Sequence, residues 1–96
     1  MIGQSKISVV IPCYKVSASI CDLIRKIGTE VESIIVVDDC CPEKSGDLVK
    51  NSCPDPRVRV IYHQTNQGVG AAVLTGYQAA IEEDANVIVK LDGDGQ

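Results

Sequence analysis

Four apolar runs, separated by helical or loop-forming stretches, set the pattern of this chain. Ile7 to Ile11 and Val31 to Val37 are rich in β-branched residues and predict strands buried on both faces of a sheet. Val87 to Leu91 is of the same type, whereas Arg57 to Tyr62 alternates polar and apolar residues, as a half-exposed edge strand does. The pattern therefore predicts four strands.

Helical signals lie between these strands. The first is an apolar stripe with i, i+3, i+4, i+7 spacing that ends before Gly28 and is formed by Ile20, Leu23, Ile24 and Ile27. Residues 47–50 predict at most a short helix, and residues 71–83 have the composition of a longer one. Right-handed crossovers turn such an alternation into a parallel sheet with helices on both faces. We predict an α/β fold of βαβαβαβ order, the parallel-sheet half of a Rossmann-like domain.

The order of the strands decides where a ligand would bind. If it is third, second, first, fourth, the switch point lies between the first and fourth strands, and ligands gather at the carboxyl ends nearby. The residues at or just beyond the strand ends there are Pro12, Tyr14, Asp38, Asp39 and Asp92. We therefore expect the chemistry of this chain at one edge of the sheet.

Size and charge narrow the possible partners. The chain has 96 residues, enough for one domain, and its net charge of -4 comes without a stripe of Lys and Arg. Nucleic acid is therefore not an expected partner.

The sequence contains no apolar run of the roughly 18 to 20 residues that a membrane span needs, and its start lacks a signal-peptide layout. These features predict a cytoplasmic location, with membrane segments confined to a longer protein.

The cysteines and the single histidine carry no recognisable site pattern. The five cysteines have no Cys-x-x-Cys spacing, so we expect thiols in a reducing compartment and neither a disulfide framework nor a zinc site. They are Cys13, Cys21, Cys40, Cys41 and Cys53. His63 has no acid or cysteine nearby in sequence, which predicts a structural or exposed role.

Asp92-Gly93-Asp94 follows the last strand and is a candidate metal motif. Two carboxylates in a tight turn supply the oxygen ligands that Mg²⁺ or Mn²⁺ prefers, and the diphosphate of a nucleotide would supply others. The alternative is a solvated turn without a ligand. The acids that end another strand favour the metal site.

Two further motifs each have a functional and a structural interpretation. Asp38 and Asp39 either cap the following segment or accept hydrogen bonds from a base or ribose, and one of them can do each. Gly68-x-Gly70 precedes a helix and either faces a phosphate or forms a tight turn required for packing. It is not a dinucleotide fingerprint, because Val73 stands where the third glycine would be.

From Ile7 to Gln96 these pieces together resemble glycosyltransferase family 2, GT-A-type enzymes that include polyprenyl-phosphate sugar transferases. The likeness rests on the order and spacing of four blocks. They are Val9 to Tyr14, Val36 to Asp39, Asn66 to Ala72, and Asp92-Gly93-Asp94-Gly95-Gln96. The resemblance implies transfer of a sugar from a nucleotide-diphosphate sugar, with inversion and with a divalent metal, to an acceptor such as polyprenyl phosphate.

The resemblance also implies site residues. Pro12, Tyr14 and Asp39 would line the nucleotide pocket, with Asp38, Gly68, Gly70, Asp92 and Gly93 as further nucleotide-binding candidates. Asp94 and Gln96 would hold the metal, with Asp92 as a third ligand. Lys15, Val16 and Val69 depart from the family pattern. The departures at 16 and 69 bear on the identity of the donor and on contacts with the diphosphate.

The family's general base follows the metal motif, so we expect it beyond Gln96. Residues 1–96 are then the N-terminal, nucleotide-sugar-binding part of the domain, cut at the metal motif and inactive alone. The fourth strand would form an open apolar edge, which predicts self-association.

Two other classes remain possible from the sequence. A phosphoacceptor receiver domain also carries an acid pair after one strand and an aspartate after a later one, but its pair ends the first strand rather than the second. A noncatalytic nucleotide-binding module would keep the fold without the reaction.

Overall fold

The computed structural model describes residues 6–14 and 19–92 and confirms the predicted alternation of strands and helices. The strands are β1 (Ile7–Cys13), β2 (Val31–Asp38), β3 (Val58–Tyr62) and β4 (Val87–Lys90). The helices are α1 (Ile20–Arg25), α2 (Ser45–Ser52) and α3 (Val69–Glu82). Within the described residues, no helix is both long enough and apolar enough to cross a membrane.

All strand pairings are parallel, and the order is β3-β2-β1-β4. This is the order third, second, first, fourth, so the switch point lies between β1 and β4 as expected. Cys13 pairs with Asp38, and Asp38 pairs with Tyr62, so β1, β2 and β3 end at the same level. The residues that follow these three strands therefore emerge together at one edge of the sheet.

The alternation of side chains along β1 and β2 builds two cores, one on each face of the sheet. Val9, Ile11, Ile34 and Val36 belong to the core that also contains Ile20 and Ile24 of α1 and Val49 of α2. On the other face, Val10, Ile35 and Val37 pack with three alanines of α3, which are Ala72, Ala79 and Ala80. The small alanine side chains allow α3 to lie close to the sheet.

The two outer strands are less buried than the two inner ones. β3 is half-exposed, as the alternation in its sequence predicts. β4 is the opposite edge, and its Val87 and Val89 remain 44% and 39% exposed. The predicted open apolar edge is therefore present.

A disulfide joins Cys21 of α1 to Cys53, which directly follows α2. The expectation that all five cysteines are thiols is therefore wrong, although Cys13, Cys40 and Cys41 do remain thiols. α1 and α2 pack on the same face of the sheet, and this brings together two cysteines separated by 32 positions in sequence. Cysteine spacing along the chain carries no sign of such a contact.

Gly76 of α3 lies against Val10 of β1, and it provides a test of the packing. A Cβ at this position would lie 2.2 Å from Val10 Cγ1, so Val10 or the helix must move. We expect Gly76→Ala to lower the free energy of unfolding by about 1–3 kcal/mol, measured by urea denaturation.

Gly70→Ala is the matched control, because Gly70 lies in the same helix and a Cβ there meets nothing within 4 Å. We expect this variant to be neutral or stabilised by up to about 1 kcal/mol through helix propensity. Equal effects of the two substitutions would contradict the packing of α3 on β1.

Candidate functional site

The carboxyl ends of the four strands meet at one edge, which holds the sequence-predicted residues that the structure describes. Pro12 is buried in β1, and Tyr14, just beyond it, is 44% exposed. Asp38 and Asp39 lie at the end of β2, and Asp92 follows β4. β1 alone separates β2 from β4, so the two strands lie about 10 Å apart across the sheet. β4 ends lower than β2, because Lys90 is level with Val10 and Ile35. Gly93, Asp94 and Gln96 lie outside the described residues.

Asp38 fixes the loop that follows β2. Its Oδ1 accepts a hydrogen bond from the Cys41 amide at 2.7 Å, and its Oδ2 accepts one from the Gly46 amide in the first turn of α2 at 2.9 Å. In the loop that joins β2 to α2, Cys40 and Lys44 adopt left-handed backbone conformations, with φ of 55° and 54°. Asp38 thus has the capping role that was one of its two predicted interpretations. A nucleotide contact by Asp38 stays a prediction.

Asp39 performs a different task on the opposite face of the sheet. Its Oδ1 accepts from the Gln67 amide and its Oδ2 from the Gly68 amide, each at 2.8 Å, just before the first residue of α3. The alternation of side chains explains the division, because Asp38 faces α2 and Asp39 faces α3. A negative charge at the amino end of a helix is also favourable for the helix dipole.

The carboxylate of Asp39 is buried, with 3% of its side chain exposed. Burial opposes ionisation, but the amides of Gln67 and Gly68 and the His63 ring together lower the pKa of Asp39 below its usual value. A carboxylate has about four acceptor positions, of which three are used here. Within the described part of the chain, one acceptor position on Oδ2 therefore has no donor.

His63 is the residue at this edge that the sequence analysis underrated. Its Nδ1 lies 2.8 Å from Asp39 Oδ1, and its Nε2 lies 2.8 Å from Thr75 Oγ1 on α3. Its side chain is 8% exposed. The alternation could have revealed this contact, because His63 follows β3 on the face that Asp39 occupies beyond β2. The ring is buried rather than exposed, and its acid partner is distant in sequence.

The glycine loop before α3 is open on its outer side. Gly68 has a φ of 96°, which only glycine adopts without strain, and a Cβ at either Gly68 or Gly70 would meet nothing within 4 Å. The amides of Gln67 and Gly68 are occupied by Asp39, so a phosphate at this loop would have to use amides further along the first turn. The phosphate-facing role of the loop stays a prediction.

Asp92 differs from Asp39 in its surroundings. Its side chain is 48% exposed, and its Oδ1 lies 3.0 Å from Lys90 Nζ. An exposed ion pair of this kind contributes little to stability, so a cation could displace Lys90 at small cost. No cluster of three or more possible metal ligands occurs within residues 6–14 and 19–92.

A cavity of about 550 Å³ opens at the opposite edge of the sheet, near Arg57 and the residues that precede β2 and β3. The guanidinium of Arg57 is already engaged there, because it donates to the Asp55 carboxylate and to the carbonyls of Ile27, Gly28 and Val31. The charge of Arg57 is therefore not available to an anionic ligand in this cavity.

Comparison with known proteins identifies a family and several similar proteins, of which two are described here. Residues 8–96 match the sequence model of the family described as Glycosyl transferase family 2. The undecaprenyl-phosphate mannosyltransferase of Micrococcus luteus is 29% identical over 93 residues, covering 94% of this chain and 38% of that protein. The undecaprenyl-phosphate 4-deoxy-4-formamido-L-arabinose transferase of Pectobacterium atrosepticum is 35% identical over 99 residues, covering 94% and 29%. The chain thus spans about a third of the length of these relatives.

Among solved structures, S. aureus TarS 1-349 in complex with UDP superposes with a TM-score of 0.72. The sequence identity is 22%, and the match covers 93% of this chain and 27% of that one. At this identity the likeness concerns the fold, and it agrees with the predicted GT-A type.

The hydrogen bonds of Asp39 predict a pH-dependent contribution to stability. Because the pKa of Asp39 is lowered in the folded chain, its contribution is complete above about pH 4, the usual pKa of an aspartate, and is lost as the pH falls through the folded value. We expect Asp39→Asn to lower the free energy of unfolding at pH 7 by about 1.5–3 kcal/mol. Urea denaturation between pH 7 and pH 2 should show the difference from wild type shrinking in acid.

Asp92→Asn makes the same chemical change at an exposed position and should alter stability by less than about 1 kcal/mol at every pH. If Asp39→Asn behaved like this control, the buried carboxylate would not hold the loop.

Proposed function

Because this chain belongs to glycosyltransferase family 2, we propose that it is the donor-binding part of an enzyme that transfers a sugar from a nucleoside diphosphate to a polyprenyl phosphate. The family match over residues 8–96 carries this proposal. Two of the similar proteins are named as undecaprenyl-phosphate sugar transferases, which supports the acceptor class. A receiver domain is not favoured, since the acid pair ends β2 and the matching family is a transferase family.

The nucleoside binds at the carboxyl edge between β2 and the switch point. Pro12, Tyr14 and Asp39 line its pocket, and the remaining acceptor position on Asp39 Oδ2 takes one N–H of the base. A uracil ring presents a single N–H at its pairing edge, whereas guanine presents two neighbouring donors. This favours a uridine nucleotide, in agreement with a TarS structure that contains UDP.

The diphosphate lies between Asp39 and the residues after β4. Asp92, Asp94 and Gln96 would hold Mg²⁺ or Mn²⁺, since all three present oxygen ligands of the kind these cations bind. When bound, the cation neutralises charge on the departing diphosphate. Gly68, Gly70 and Gly93 allow the backbone to approach the phosphates closely.

The reaction is a displacement at the anomeric carbon of the sugar. An oxygen of the acceptor phosphate forms the new bond while the bond to the nucleoside diphosphate breaks, so the configuration inverts. The residues of this chain bind and orient the donor. No catalytic base is assigned within it, and residues 1–96 alone are proposed to bind the donor without transferring the sugar.

Titration with nucleotides tests the donor site. Isothermal titration of UDP and of GDP with Mn²⁺ should show binding to the wild-type chain, with UDP the tighter ligand. Asp94→Ala should weaken the binding of UDP with Mn²⁺ by about tenfold, which is 1.4 kcal/mol. With EDTA in place of Mn²⁺, the two proteins should bind UDP equally.

Glu82→Ala is the control for charge. It removes one carboxylate from the end of α3, at the edge of the sheet far from the site, and should leave the affinity unchanged. Equal affinity of Asp94→Ala and wild type in Mn²⁺ would remove Asp94 from the metal site. Absence of nucleotide binding by the wild type would contradict the donor-binding role itself.

The open edge of β4 leads us to propose self-association of this chain. Val87 and Val89 offer exposed apolar surface beside unpaired backbone groups, which recruit further strands. Light scattering should give a mass that rises with concentration, and Val89→Lys should shift it towards the monomer.

Leu74→Lys is the comparison, because Leu74 is 63% exposed and lies on α3 rather than on β4. It should leave the association unchanged. A monomeric mass of the wild type at high concentration would contradict the proposal, as would an equal effect of the two lysine variants.

A further inference from the structure

We infer that His63 is a positioning residue of the nucleotide site, which sets the orientation of the Asp39 carboxylate while leaving free the oxygen position that the ligand uses. The inference rests on the proposed function for the ligand. The positioning of Asp39 by His63 is argued from the geometry of the imidazole and its two partners.

The location of the ring follows from the sheet. The His63 amide donates to the Asp38 carbonyl at 2.9 Å, so its backbone continues the pairing of β2 with β3. Its side chain then lies beside that of Asp39 in the next strand, and α3 covers it on the other side through Thr75. The ring is 8% exposed, so its neighbours restrict its orientation.

The tautomer follows from the partners. Asp39 is ionised at neutral pH and can only accept, so His63 Nδ1 carries a hydrogen and donates it to Oδ1. In the neutral ring Nε2 is then an acceptor and takes the hydroxyl hydrogen of Thr75. The carboxylate of Asp39 thereby selects the tautomer, and the Thr75 hydroxyl, which can donate or accept, matches it.

The two oxygens of Asp39 are used unequally. Oδ1 accepts from both His63 and Gln67, whereas among residues 6–14 and 19–92 Oδ2 accepts from Gly68 alone. The position left for a ligand is therefore on Oδ2, and His63 bonds to the other oxygen. Because rotation of the carboxylate would break the bond to His63, the ring directs the open position of Oδ2 without occupying it.

Two amide substitutions separate the two bonds of the ring. Asn at position 63 places an amide nitrogen near the position of Nδ1, so it can donate to Asp39 but does not reach Thr75. Gln places its amide near the position of Nε2, so it reaches Thr75 but does not donate to Asp39. Both variants lose the aromatic ring and are otherwise closely matched in chemistry.

The test combines nucleotide affinity with a measurement that needs no ligand. We expect His63→Gln to weaken UDP binding with Mn²⁺ about tenfold, and His63→Asn to stay within about threefold of wild type. Without nucleotide, hydrogen exchange at the Gln67 and Gly68 amides should be faster in His63→Gln than in His63→Asn. Nitrogen NMR of the wild-type ring should show the hydrogen on Nδ1.

Each result that differs from these expectations would contradict a specific part of the inference. Equal losses in the two variants would reduce His63 to a packing residue, and unchanged affinity in both would remove it from the site. A hydrogen on Nε2 of the neutral ring would contradict the bond to Asp39. If wild type bound no nucleotide while the exchange and NMR results held, the proposed function would fail and the positioning of Asp39 by His63 would stand.

Discussion

The buried carboxylate of Asp39 is the interaction on which this edge of the molecule depends. Three donors from the end of β3 and the start of α3 converge on it, and each lies 2.8 Å away. A buried charge without such partners would be costly, but here the hydrogen bonds and the amino end of a helix offset the loss of water. The carboxylate thus holds together the segments that surround the proposed nucleoside pocket.

The same edge shows how two adjacent acids acquire different functions. Successive residues of a strand point to opposite faces, and this chain covers one face with α1 and α2 and the other with α3. Asp38 therefore binds amides of the loop and of α2, whereas Asp39 binds amides before α3. Geometry thus assigns each acid a different segment to hold, although the two side chains are chemically identical.

The fold could be predicted because each strand has a recognisable local sequence pattern. β-Branched runs define β1 and β2, alternation defines β3, and right-handed crossovers restrict the order of the strands.

Contacts between distant segments were not predictable in the same way. The Cys21–Cys53 disulfide depends on the lateral packing of two short helices, and no spacing rule encodes that packing. The contact between Asp39 and His63 could have been derived from strand alternation once the order β2 next to β3 was known. The proposed ligands Asp94 and Gln96 stay predictions.

The two ends of the proposed site differ in how far they are organised before a ligand binds. Asp39 is buried and uses three of about four acceptor positions, so its carboxylate is already oriented in the folded chain. Asp92 is half-exposed and bound to Lys90 by a surface ion pair, so little holds its carboxylate in one orientation. A mobile side chain loses conformational entropy when a ligand orders it, which weakens binding. A side chain that is already ordered in the folded protein loses little more when the ligand binds. Under the proposed function, selectivity for the base therefore arises at the rigid end, while the cation and the diphosphate must order the other end as they bind.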